Sequence, residues 1–223
     1  MSIPPNLVHT AAGAADGSAQ YRIKRSREVH VHADNLDAWE QRYEQTSHGL
    51  FSGQVRELMD ADIQLFEEEA SCATSQHCQP WDSGVWIGLA VPEAASGLRF
   101  MGRPVDGTQL MLSSNGHPFD LQVPAGCGLY GVVLHQDRVL QHLQQVHHRD
   151  WPQAAHLAPS VQPLNLLQRL RLVGMLREVL RSLEADPSEL RFDASRHPHH
   201  DTPLTELADN QAPAAVCDAA PPA

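Results

Sequence analysis

Apolar and polar positions repeat along this chain with two different periods. "VHVHAD" at 29–34 alternates and predicts a short strand. Asp34 or Asn35 then caps a predicted short helix in which Trp39 and Tyr43, four positions apart, share one face, with Gly49 at its end. From Phe51 onward the period is two, through Gly53, Val55, Glu57 and Met59. Further strand-like runs are Ile63–Phe66, "GVWIGLAV" at 84–91, "GLRFMG" at 97–102, "TQLMLS" at 108–113, "PFDLQV" at 118–123 and "GLYGVVL" at 128–134. Pro104, Gly107, the tight-turn pair Asn115-Gly116 and Pro124-Ala125-Gly126 separate them. About seven short strands at roughly ten-residue intervals predict an all-β sandwich or barrel.

After Leu134 the period becomes helical. Val139, Leu143 and Val146 recur at helical spacing, and a loop from Trp151 to Pro163 leads to a second helix. There Leu166, Leu170, Val173, Leu176, Leu180 and Leu183 form a stripe, flanked by Leu167, Leu172 and Val179, and Asp186-Pro187 ends it. The opposite face carries Arg169, Arg177, Arg181 and Glu184. A stripe of this breadth must be covered, so one side is expected to meet the strands and the other a second copy, in an antiparallel or crossed homodimer. The expected divisions are a flexible segment at 1–28, a β-domain at 29–134, a helical dimerisation region at 135–194 and a disordered tail at 195–223.

Composition narrows the function. The chain has 223 residues, 42 % of them hydrophobic, and a formal charge of −11. The negative charge opposes wrapping of nucleic acid, and the single basic run, "RIKRSR" at 22–27, reads as a solvated lead-in. No stretch is long and apolar enough to span a membrane, and the N-terminus lacks a secretory pattern, so the expected location is cytoplasmic. The four cysteines, Cys72, Cys78, Cys127 and Cys217, form no C-x-x-C pair and read as structural.

Catalytic patterns are missing. His30-x-His32 resembles the start of a cupin metal motif, but Leu36 and Asp37 stand where its Glu is needed, and Leu129 stands where a His should follow Pro124-x-Gly126. His197, His199 and His200 lie in the tail. Ser52 has no G-x-S-x-G context, and the consecutive Glu67, Glu68 and Glu69 read as a charged, solvated edge. No metal, no cofactor and no enzymatic activity are therefore expected. The remaining candidate is an aromatic, polarizable interior, with Trp86, Phe100, Met111, Phe119 and Tyr130 as ligand-binding residues for one small molecule.

"WEQRYEQTSHGLFSGQVRELM" resembles the N-terminal sensor half of AraC-type transcription regulators, closest to the ethanolamine-operon regulator group. In that group a Trp-x3-Tyr helix passes through a Ser-Pro-Gly-x-Phe-x-Gly turn into the first barrel strand. Here the turn is Ser47-His48-Gly49-Leu50-Phe51-Ser52-Gly53, with His48 in the proline position. "WIGLAVP", "RFMGRPVDGTQLML", "GHPFDLQVPAG" and "LYGVVLHQDRV" extend the resemblance over residues 30–150. It implies an α+β fold: a cupin-like β-barrel of about seven strands, preceded by one short helix packed inward through Trp39 and Tyr43, and followed by two or more helices. It also implies an effector-sensing and dimerisation domain. Such regulators read DNA through helix-turn-helix units, and no such pair follows residue 186, so DNA contact is expected only through a C-terminal domain absent from this chain. The alternatives are a stand-alone small-molecule-binding cupin, a cupin enzyme with unrecognised chemistry, and a purely structural dimerisation module.

Overall fold

The structure, a computed structural model, describes residues 19–91, 97–147 and 158–186. The expected mobile N-terminus, most of the Trp151–Pro163 loop and the tail lie wholly or largely outside them. Twelve strands and three helices follow in the order β1 (Gln20–Ser26), α1 (Val29–Ala33), β2 (Glu40–Gln45), β3 (Gly53–Met59), β4 (Ile63–Ala70), β5 (Thr74–Gln79), β6 (Gly84–Ala90), β7 (Arg99–Phe100), β8 (Arg103–Pro104), β9 (Gln109–Ser113), β10 (Phe119–Val123), β11 (Gly128–His135), α2 (Gln136–His147), β12 (Ser160–Pro163) and α3 (Leu166–Ala185).

The strands form two antiparallel sheets, a seven-stranded one in the order β1-β3-β4-β11-β6-β9-β12 and a five-stranded one in the order β2-β5-β10-β7-β8. No strand pairing closes the two onto each other among the described residues, so the expected barrel is an open two-sheet arrangement. The strand inventory also exceeds the expected one. "RIKRSR" is no solvated lead-in: it belongs to β1, which pairs with β3 from Gln20↔Met59 to Ser26↔Gly53.

The first helix and strand are exchanged relative to expectation. "VHVHA" is the helix α1, with His32 N–H donating to Glu28 O at 3.0 Å, while the segment expected to be helical contains β2. The spacing of Trp39 and Tyr43 is ambiguous: residues four apart share a face in a helix and also in a strand. Ala38 at φ 63° turns the chain ahead of β2, outside the right-handed helical region. Both aromatic rings still face inward, now with Gln41 between them.

β6 and β11 are buried on both faces, which accounts for their almost continuous apolar sequences. Trp86, Ala90, Leu129 and Val133 point into the space between the sheets. Val85, Ile87, Leu89, Tyr130, Val132 and Leu134 point the other way, against Leu172, Val173, Leu176 and Leu180 of α3. Helix α3 opens with a reciprocal capping box between Asn165 and Gln168. Val173, Leu176, Leu180 and Leu183, expected at a dimer interface, are thus buried within their own chain. Leu166 and Leu170 of the same stripe stay exposed. The stripe is straight in sequence, but the sheet covers only the part of the helix that lies over it.

Asn115-Gly116 makes the expected tight turn, with φ of 56° and 65°. It does not close a hairpin. β9 joins the larger sheet and β10 the smaller, so the turn carries the chain from one to the other.

Candidate functional site

The packed layer between the sheets has an aromatic wall and a polar end. In the wall, Trp86 stacks on Phe119 with ring centroids 4.1 Å apart and planes at 19°. Phe100 lies 5.8 Å from Trp86 and 5.5 Å from Phe119. Met111 is fully buried in the same cluster. Trp39 stands edge-on to Phe66 at 5.6 Å and to Phe119 at 6.1 Å, joining wall to polar end. Two glycines make the wall flat. Gly88 and Gly131 are register partners on β6 and β11, and a Cβ on them would lie 2.4 Å from the Trp86 ring and 2.1 Å from that of Phe66.

Four of the five expected ligand-binding residues, Trp86, Phe100, Met111 and Phe119, therefore come together. Tyr130 does not join them. It alternates to the outer face of β11, under α3, where Arg177 Nε donates to its hydroxyl at 3.5 Å. Burial raises its pKa above the ordinary tyrosine value.

The polar end is built by β1, α1, β2, β4 and β5. His32 is fully buried on α1, with its ring 5.4 Å from Phe51 and 6.0 Å from Tyr43. Gly53 gives it room, because a Cβ there would sit 2.5 Å from His32 Nδ1. The amide of Asn35 donates to Nδ1 at 3.1 Å, and Ser26 Oγ lies at the same distance. Because that nitrogen accepts, the ring proton belongs on Nε2. Nε2 faces Glu68 Oε1 at 3.0 Å, and both atoms are buried. Tyr43 donates to the other oxygen of Glu68 at 3.4 Å and receives Gln41 Nε2 at 2.9 Å. Burial, reinforced by the Glu68 charge, holds the Tyr43 phenol well above its ordinary pKa, and the same two causes push the Cys78 thiol up.

A second buried carboxylate lies one pair along. Glu57 Oε1 receives Gln64 Nε2 at 2.6 Å and the Asp37 N–H at 3.1 Å, while Lys24 Nζ stands 3.7 Å from Oε2. Gln64 in turn accepts from Trp39 Nε1 at 2.7 Å. Burial raises the Glu57 pKa despite these donors.

Glu68 corrects the reading of Glu67–Glu69 as a solvated edge. β4 runs through all three between β3 and β11, so alternation sends Glu68 inward while Glu67 and Glu69 face Arg56 at 2.9 and 3.8 Å. Continuing the period-two pattern of Gln64 and Phe66 by one step would have found it. The two histidines of His30-x-His32 diverge, one exposed beside Glu28 and the other buried. They cannot share a metal ion, and no group of three potential ligands is placed to hold one among the described residues. Cys72, Cys78 and Cys127 are buried free thiols.

No family model matches the chain. A solved structure described as "Crystal structure of the AraC-like transcriptional activator CuxR" superposes with a TM-score of 0.54, at 10 % identity, covering 86 % of this chain and 69 % of that one. At that identity the likeness is one of fold and singles out no narrower group. The match spans most of the chain, so this β-rich chain shares the fold of an AraC-like activator.

Proposed function

We propose that the chain is the effector-sensing and dimerising domain of a transcription regulator of the AraC type, taking a small molecule between its two sheets. The fold likeness supports the regulator class. The observation that carries the sensing role is a pair of buried polar atoms left without hydrogen-bond partners among the described residues, Gln41 Oε1 and Trp86 Nε1, beside an aromatic wall. An unsatisfied buried polar group costs about 1–3 kcal/mol, so an occupant offering complementary groups would recover much of that. It would meet a donor at Trp86, an acceptor at Gln41 and flat apolar surface at Phe100 and Phe119, next to the His32–Glu68 pair.

On this reading the domain senses rather than catalyses. Ser26, His32 and Glu68 have the residue types of a hydrolytic triad, yet Ser26 faces Nδ1 and all three are buried, so no nucleophile is presented. DNA would be met by a helix-turn-helix unit outside this domain, and the protein would work in the cytoplasm as a homodimer. Among the described residues no helix is long and apolar enough to cross a membrane.

A thermal-shift screen against a metabolite library tests the reading. A true effector at a hundredfold excess over its Kd stabilises the fold by about 2.7 kcal/mol. Glu68→Gln and Trp86→Phe should each reduce that shift. A library without any stabilising compound, or a shift unchanged in both folded variants, would remove the interior from consideration.

A further inference from the structure

We propose that Arg169, together with Arg99, holds the anionic group, a carboxylate or a phosphate, of a small molecule seated in the cleft between the β7–β8 hairpin and the turn that precedes β9. This site is separate from the inter-sheet layer and does not rest on the reading above.

The leucine pattern of α3 places Arg169 on the polar face of the helix, yet it is only 7 % exposed. A buried guanidinium is normally matched by a carboxylate, because taking the charge out of water is costly. Arg169 has no ion pair among the described residues. Its Nη2 donates to Ala90 O at 3.2 Å, and its Nε is buried without a partner. A brace to one carbonyl leaves most of the donors of a guanidinium fork unused.

The surroundings make room for this group. Gly107 lies against it, and a Cβ there would stand 3.0 Å from Nη2 and 3.3 Å from Cζ. Gly107 has no positive φ, so closeness to the guanidinium, and not backbone conformation, calls for glycine. Leu164 N–H donates to Thr108 O at 2.7 Å, tying the start of α3 to the same turn. Asp106, next to Gly107, lines a cleft of about 370 Å³, a size that takes a small molecule. Leu98, Pro104 and Val105 give the cleft apolar surface, and Arg99 belongs to its lining. The carboxylate of Asp106 is already engaged, because Oδ1 accepts from the N–H and the hydroxyl of Thr108 at 2.8 and 2.6 Å. Those bonds hold its carboxyl below the ordinary aspartate pKa, with Arg169 the least of the causes. The turn thus brings two guanidinium groups to one committed carboxylate, in a chain whose formal charge is −11. Guanidinium groups suit carboxylate and phosphate oxygens through paired N–H donors.

The test follows the Arg169 Nε–H and the Gly107 N–H by nitrogen–proton correlation NMR on the full chain. Inorganic phosphate is titrated in one arm and acetate in the other, with chloride keeping the ionic strength constant. A saturable shift of both signals is expected, with phosphate for a phosphorylated ligand and with acetate for a carboxylate one. Arg99→Gln, a change at an exposed residue, should weaken that binding about fivefold, with the fold unchanged by circular dichroism. Arg169→Lys, followed at Gly107, should weaken it about tenfold or more, because lysine lacks the fork. No saturable shift with either anion at tens of millimolar, or an affinity unchanged by both substitutions, marks an adventitious ion only and overturns the site. If Arg169→Lys does not fold, Arg99→Gln decides alone.

Discussion

Replacing Gly53 by alanine probes the polar end with one methyl group. Gly53 does not have a positive φ, so alanine is acceptable to the backbone there. The obstacle is spatial. A Cβ would lie 2.5, 2.6 and 2.8 Å from Nδ1, Cε1 and Cγ of His32, closer than any such contact can remain. The ring has little freedom to retreat, being held between Phe51 and Tyr43 and tied to Asn35. Overpacking of this kind costs about 1–3 kcal/mol. Losing the Asn35 hydrogen bond inside the core adds about 1–3 kcal/mol. The entropy that alanine removes from the unfolded chain returns about 0.4–1 kcal/mol. The expected net loss is about 3 kcal/mol, within a range of about 1–5, read as a drop of about 1.5 M in the urea midpoint for a slope near 2 kcal/mol/M. His32→Ala makes the space, so in that background Gly53→Ala should cost well under 1 kcal/mol. A neutral Gly53→Ala, or a penalty undiminished without the imidazole, would refute the claim that Gly53 exists to seat His32.

Other outcomes follow from the same contacts. Leu176→Glu places a charge among Leu172, Val173 and Leu180 against the sheet, so it should unfold the domain at every protein concentration, seen by near-UV circular dichroism; a folded monomer would show that Leu176 faces a partner after all. Because burial raises the Glu57 pKa in the folded state, the folded protein binds the extra proton, and wild-type stability falls as pH rises from the ordinary glutamate value through the raised one. Glu57→Gln should therefore gain stability relative to wild type as pH rises above the ordinary glutamate value in urea titrations, and a pH-independent difference would contradict this. Burial holds the Cys127 thiol at about 11 and Cys78 higher still, so both should react with a disulfide reagent at pH 8 only after unfolding; modification within minutes in native buffer would disprove their enclosure.

Local physics set much of this fold in advance. The runs at 84–91 and 128–134 are apolar on both faces, and such a strand has to lie mid-sheet with cover on each side. Asn115-Gly116 has to turn, because both residues accept positive φ. Asp186-Pro187 has to stop the last helix. The aromatic wall was legible for the same reason, since Trp86, Phe100, Met111 and Phe119 are too large and apolar to stay in water. What the chain could not declare locally is which partner each face would find. Trp39 and Tyr43 share a face in either secondary structure, and only pairing of β2 with β5 made theirs a strand. Tyr130 looked like the other aromatic residues until the register of β11 sent it under α3. Glu68 looked like its neighbours until β4 was flanked on both sides, leaving one carboxylate of three buried beside His32. The leucine stripe is continuous along α3, yet the sheet beneath it covers Leu176 and Leu180 and leaves Leu166 and Leu170 in solvent. Periodicity depends on residues a few positions apart, whereas burial depends on residues brought together from distant parts of the chain, and the site belongs to the second kind.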